Sequence, residues 1–261
     1  MFDFIRKVKQ QAAQSFVKNG RRETLADATA HLAAIGFLPK TIIDVGVAYG
    51  TPGLYGVFEG AKYLLIEPLV EYEHVLRKLC HDYDGQYFLV AAGRENCRIT
   101  LNVHPDLSGS SLFYESEGPD VDGEPREVQC VRLDETCAES NLVGPYLIKV
   151  DVQGAELDVL DGATAILPET EVIMLEVSLF QLWVESPQLH DVVTNMNEKG
   201  FVVYDIFGGH YRPLDNALGQ IDLVFVRENG SLRKSHHWAT REQRVKLTKH
   251  RIEFLNIAIK T

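Results

Sequence analysis

Thr41-Ile42-Ile43-Asp44-Val45-Gly46-Val47-Ala48-Tyr49-Gly50-Thr51-Pro52-Gly53 reads as a buried strand that runs into a glycine-rich turn and then into a helix. Glycine in such a turn lets a ligand approach the backbone, and a helix start offers free N–H groups. About 20 residues on, Tyr63-Leu64-Leu65-Ile66-Glu67-Pro68 is a second apolar strand that ends in a carboxylate. Doubly wound folds place an acidic side chain there to hold the two hydroxyls of a ribose.

The turn distinguishes between nucleosides. A dinucleotide fingerprint opens with a glycine and brings a pyrophosphate against the backbone. Asp44 stands at that position here, and a carboxylate repels a pyrophosphate but suits a cationic ligand. The pattern Asp44-x-Gly46-x-x-x-Gly50 resembles motif I of class I S-adenosylmethionine-dependent methyltransferases. By that resemblance, Glu67 holds the ribose hydroxyls while Asp44 and Gly46 line the methionine end. Ala48, Gly50, Pro68 and Ala92 complete the expected cofactor contacts. A plain strand-ending turn is the alternative for Asp44-Val45-Gly46 alone, and Glu67 at the end of the next strand weighs against it.

The 261 residues, 45% of them hydrophobic, suffice for one domain of two βαβ halves with extensions. No apolar run reaches the ~18 residues of a membrane span, and Lys7 and Lys9 interrupt the apolar residues of the N-terminus. Cys80, Cys97, Cys130 and Cys137 have neither Cys-x-x-Cys nor zinc spacing, so they are expected to be reduced thiols of a cytoplasmic protein. Net charge is −11, unevenly spread: residues 1–22 carry +5 and residues 231–261 carry +6, so the body between them carries −22. An acidic body disfavours nucleic acid as a partner. The basic ends are read as solvated, with contact to an anionic membrane surface or an acidic partner as the alternative.

Periodicity places helices over 4–17 and 24–35, the second closed by Gly36 and Pro39. Strands follow at 41–46, 62–67, 87–92, 98–103, 127–133, 146–151, 172–177, 201–206 and 221–227. Helices are expected from the glycine turn to about Glu59, and over 69–81, 154–166 and 187–199. Strands alternating with helices predict a doubly wound, mainly parallel α/β sheet. The last two strands have no helix between them and are expected to form an antiparallel hairpin with a long loop. Three regions result: an N-terminal helical extension (1–40), a catalytic domain (41–230) and a basic amphipathic tail (231–261).

Four blocks together resemble the FkbM family of methyltransferases: Ile43-Asp44-Val45-Gly46 through Gly50; Ile66-Glu67-Pro68; Ser108-Gly109-Ser110-Ser111-Leu112 with Val131-Arg132-Leu133-Asp134; and Leu147-Ile148-Lys149-Val150-Asp151-Val152-Gln153-Gly154-Ala155-Glu156, backed by Met174-Leu175-Glu176-Val177-Ser178. Val47-Ala48-Tyr49 departs from the small or polar residues expected inside motif I. The resemblance implies a seven-stranded class I methyltransferase sheet with an antiparallel last strand, and S-adenosylmethionine as cofactor. It also implies O-methylation of a small-molecule or glycan acceptor.

Methyl transfer to an alcohol is helped by a base at the acceptor oxygen. Asp151 closes the fourth principal strand beside the Asp44 turn, and it is the candidate catalytic carboxylate, with a helix N-cap as its structural alternative. Glu156 is a second catalytic candidate, or an acidic residue that favours the helix dipole. Lys149, Glu176, Ser110 and Ser111 are candidate substrate contacts. Lys149 can equally be an ion-pair partner, Glu176 a hydrogen-bonded core-edge residue, and the serines a polar turn. His104 and His210 are possible bases, since imidazole titrates near neutrality, but as lone loop histidines they are expected at the surface. No metal site is expected. A Rossmann-type NAD oxidoreductase and a non-catalytic nucleoside-binding protein remain as rivals. A homodimer, and docking of the amphipathic tail on protein, are further expectations.

Overall fold

The computed structural model describes residues 22–258, so the helix expected over 4–17 lies outside it. In chain order the elements are α1 (Leu25–Ala34), β1 (Thr41–Val45), β2 (Lys62–Ile66), α2 (Glu73–Asp82), β3 (Gly85–Phe88), β4 (Ala91–Ala92), β5 (Cys97–Val103), β6 (Glu124–Val131), α3 (Leu133–Glu139), β7 (Tyr146–Val150), α4 (Glu156–Asp161), β8 (Thr170–Ser178), α5 (Leu189–Glu198), β9 (Phe201–Tyr211), β10 (Leu218–Arg227) and α6 (Arg241–Ala258). All five residues of β1 are buried, as are all five of β7. Strands apolar on both faces belong inside a sheet covered on two sides. The main sheet runs β3-β2-β1-β7-β8-β10-β9. β10 is antiparallel to both its neighbours, and the pairings from β3 to β8 are parallel. This is the seven-stranded class I methyltransferase sheet, with its last strand reversed. One apolar layer packs α3, α4 and α5 residues such as Leu133, Val159 and Met196 against it; the other packs Ala28 and Leu32 of α1 and Leu76 of α2.

Several expectations are corrected. Residues 49–60 form successive turns and no helix. Gly50, Gly53 and Gly56 take φ of +97°, +94° and +72°, outside the helical region, and Pro52 has no N–H to donate. The strand expected over 87–92 is two strands: the chain bends at Leu89–Val90, and Ala91–Ala92 joins a small sheet of order β4-β6-β5. The helix expected over 154–166 is the shorter α4, while α3 went unforeseen. The β9–β10 hairpin closes through residues 212–217 alone, because both strands extend further than expected. The tail forms α6, but it does not dock on the body: every side chain from Arg241 to Leu255 is exposed. No helix among the described residues is long and apolar enough to cross a membrane.

Candidate active site

The carboxyl ends of β1, β2, β7 and β8 open on a cavity of about 800 Å³, within the range of ~300–1,000 Å³ typical of small-molecule sites. Such a crevice arises where the chain leaves parallel strands in opposite directions around the switch point, here between β1 and β7.

On one side lies the turn after β1. Gly46 has φ of +77°, and a Cβ there would fall 1.8 Å from the Asp151 carbonyl oxygen. The ends of β1 and β7 thus meet backbone to backbone. Ala48, with φ of +45°, donates its N–H to Glu67 Oε2 at 3.0 Å, and the Leu69 N–H donates to Glu67 Oε1 at 2.9 Å. Glu67 is buried at the cavity wall, and burial raises its pKa against these two bonds. Gly50, Pro68 and Ala92 also line the cavity. Asp44 does not. It is wholly buried beneath the turn, where it accepts hydrogen bonds from the Thr51 hydroxyl at 2.7 Å and the Tyr55 hydroxyl. Its other oxygen, Oδ1, stands 3.6 Å from Lys149 Nζ. The expectation that Asp44 lines the methionine end is therefore corrected: it holds the turn from below.

On the other side, the parallel register sets Lys149 beside Met174, and the antiparallel register sets Asp222 opposite Glu176. Side chains two residues apart share a face, so Asp151, Glu176 and Asp222 stand in one row across three neighbouring strands, and all three line the cavity. Asp151 accepts from Lys149 Nζ at 3.3 Å and from Gln153 Nε2 at 2.8 Å. Glu176 Oε2 accepts from Gln153 at 3.0 Å and Gln220 at 2.8 Å. Burial, then the charges of Asp151, Asp222 and Glu156, pushes Glu176 up to about 9. Burial and the Asp151 charge push Asp222 up to about 6. Burial works against the charge on Lys149, but Asp151 and Asp44 outweigh it and hold the ammonium above the usual lysine range.

Glu156 is placed elsewhere. Its Oε1 accepts from the N–H groups of Val152 and Gly154, both at 3.1 Å, and its carboxyl does not line the cavity. Burial raises it to about 7. It closes the turn into α4, the work that an N-cap at Asp151 was expected to do. Ser110 lines the cavity, with its hydroxyl donating to Leu107 O. Ser111 is buried behind it and donates to Gln153 O at 2.7 Å. Gln153, Gln220 and Asp222 also line the cavity and were not foreseen; His210 lines it too, on β9 rather than in a surface loop. Among the described residues no group of three or more His, Cys, Asp or Glu side chains is arranged to hold a metal ion.

These residues suit S-adenosylmethionine. Each oxygen of Glu67 receives one N–H and keeps a lone pair for a ribose hydroxyl. The carboxylate row suits a sulfonium and an ammonium. A dinucleotide pyrophosphate finds no free Lys or Arg among the described lining residues, because Lys149 is already paired.

The sequence matches the FkbM methyltransferase domain over residues 44–203. It is 29% identical over 202 residues to the 2-O-methyltransferase NoeI of Sinorhizobium fredii (strain NBRC 101917 / NGR234), covering 67% of this chain and 79% of that one. Among solved structures, magnesium protoporphyrin IX methyltransferase (ChlM) from Synechocystis PCC 6803 with bound SAM is similar at 11% identity and a TM-score of 0.42, over 87% of this chain and 85% of that one. The 1,6-didemethyltoxoflavin-N1-methyltransferase of Burkholderia thailandensis is similar at 11% identity and a TM-score of 0.40, over 87% and 89%. The domain match spans more than half of the chain, from the Asp44 turn through the row's first two carboxyls, and the protein belongs to the FkbM family of methyltransferases, which take their methyl group from S-adenosylmethionine.

Proposed function

We propose that this enzyme methylates a hydroxyl group of a sugar, glycoconjugate or similar natural product, with Asp151 as the carboxylate that positions the acceptor and takes its proton. The observation that carries this reading is the row Asp151–Glu176–Asp222 in the same cavity as Glu67. The relative that methylates a 2-O position supports transfer to oxygen. Glu67 holds the cofactor ribose, and the backbone of Gly46–Gly50 with Pro68 and Ala92 surrounds the rest. When bound, S-adenosylmethionine supplies an electrophilic methyl on a positively charged sulfur.

An alcohol is a weak nucleophile until its proton is drawn away. Asp151 is fixed for this by Lys149 and Gln153, which each donate to one of its two oxygens. Glu176, with a pKa near 9, carries a proton at neutral pH. Both its amide donors reach Oε2, so Oε1 is the oxygen that offers the proton to an acceptor hydroxyl. Location in the cytoplasm is part of this reading. Cys97 and Cys130 lie opposite each other on β5 and β6, yet all four cysteines are free thiols.

Calorimetry with S-adenosylhomocysteine and transfer of labelled methyl to glycosides test the assignment. Glu67→Ala removes a charged hydrogen-bond acceptor and is expected to weaken S-adenosylhomocysteine by about 10–100-fold. Asp151→Asn is expected to bind it within a few fold of the parent, with kcat lower by ~100-fold or more. Normal turnover by the Asp151 variant removes its catalytic role; no transfer by the parent to any hydroxyl leaves the non-catalytic reading in place.

A further inference from the structure

We infer that the acceptor presents no phosphate or carboxylate beside the methylated hydroxyl, so that the enzyme acts on an assembled glycoside or another uncharged or amine-bearing compound and not on a nucleotide-activated sugar. The inference rests on the O-methylation reading and names its substrate class. Recognition of a phosphate or carboxylate calls for guanidinium or ammonium groups, or for free N–H groups at a helix start. Among the described lining residues the acceptor side offers no unpaired Lys or Arg. Lys149 is the one Lys or Arg among the described lining residues, and it is enclosed between Asp44 and Asp151 while donating to Gly46 O at 3.3 Å. In the turn into α4, the N–H groups of Val152 and Gly154 are taken by Glu156.

Asp106 adds a carboxylate to the cavity lining, at the start of a segment that is acidic throughout. Residues 104–123 contain Asp106, Glu115, Glu117, Asp120 and Asp122 and no Lys or Arg, and residues 179–188 contain Glu185 and no Lys or Arg. These two segments are bound to each other: Ser116 N–H donates to Leu182 O at 3.0 Å and Val184 N–H to Tyr114 O at 2.8 Å. Ser111 ties them to Gln153 O, two residues after Asp151. Arg22, beside the lining residue Glu23, is paired with Asp205, and Arg212, in the β9–β10 turn, is paired with Asp215. Arg212 lies 3.8 Å over the Phe180 ring and makes a two-pronged bond to Asp215 at 2.8 and 2.6 Å. An anionic acceptor therefore meets like charge from Asp151, Asp222 and Asp106, with no unpaired Lys or Arg among the described lining residues to offset it. The reaction class that supplies the substrate is glycosyl transfer, which releases the nucleoside diphosphate before methylation.

The test has two arms on the full-length protein saturated with S-adenosylhomocysteine or S-adenosylmethionine. In the first, inorganic pyrophosphate, UDP and GDP are titrated by calorimetry. No binding at millimolar concentration is expected, and micromolar binding of any of them overturns the proposal. In the second, labelled-methyl transfer is compared between nucleoside diphosphate sugars and the methyl glycosides and amino-sugar glycosides of the same sugars. At least a tenfold higher kcat/KM on the glycosides is expected, and preference for a nucleotide sugar overturns it. If neither series is methylated, the sugar reading fails while the first arm still decides whether the site excludes anions.

Discussion

Burying an ammonium costs several kcal/mol unless carboxylates stand beside it. Lys149 has two, Asp44 below the turn and Asp151 at the cavity. Removing the lysine would leave Asp44 wholly buried, with only the Thr51 and Tyr55 hydroxyls to compensate its charge. Lys149→Met is therefore expected to lose about 3–5 kcal/mol of stability, measured by urea unfolding. Adding Asp44→Asn to that variant should recover part of the loss, because the stranded charge disappears with it. Lack of any recovery would mean that the lysine stabilises through packing alone.

At the scale of elements, α1 begins with a reciprocal cap. The Asp27 N–H donates to Thr24 Oγ1 at 3.2 Å, and Asp27 Oδ2 receives the Thr24 N–H at 3.1 Å. Thr24→Ala should cost about 1 kcal/mol, read from the urea midpoint, while Thr24→Ser should cost little. Helix α1 and the β1, β2 and β7 strands were legible because apolar runs, a closing carboxylate and Gly36 mark their ends in local sequence. The turns from Tyr49 to Gly60 were not: the pattern after a nucleotide-binding glycine suggests a helix, and the left-handed glycines prevent it. Asp222 escaped notice, and His210 was read as a loop residue, for a different reason. Their place depends on the register of β10 against β8 and β9, which a pairing across two hairpin strands fixes and a linear pattern does not. Glu156 was visible as an acid near the crevice, but the two backbone N–H groups that claim it depend on how the Val152–Gly154 turn folds.

For the molecule as a whole, the acidic body has consequences for its response to pH. Glu176 and Asp222 have folded pKa values raised to about 9 and about 6. Between the ordinary carboxylate range and those values the folded state holds protons that the unfolded chain has released. Stability from these groups is thus fullest at low pH within that window and is lost as pH climbs through 6 and then 9. Tm is expected to fall from pH 6 to pH 9, and Glu176→Gln should flatten the upper part of that slope and raise Tm at pH 9 by a few degrees, with ~1 kcal/mol corresponding to about 2–4 °C in a domain of this size. A Tm that rises over the same interval in the parent would show that Glu176 ionises freely when folded.

The contact between Gly46 and the Asp151 carbonyl acts as a ruler. Because the two strand ends touch through main-chain atoms alone, the distance from the Gly46 turn to the backbone of Asp151 is set by covalent geometry and strand pairing, not by a rotamer that thermal motion can change. Alignment of methyl donor and hydroxyl then needs little adjustment once both are seated. Changes to the acceptor specificity have room in the segment from Asp106 to Leu112, where side chains can be exchanged without altering that contact.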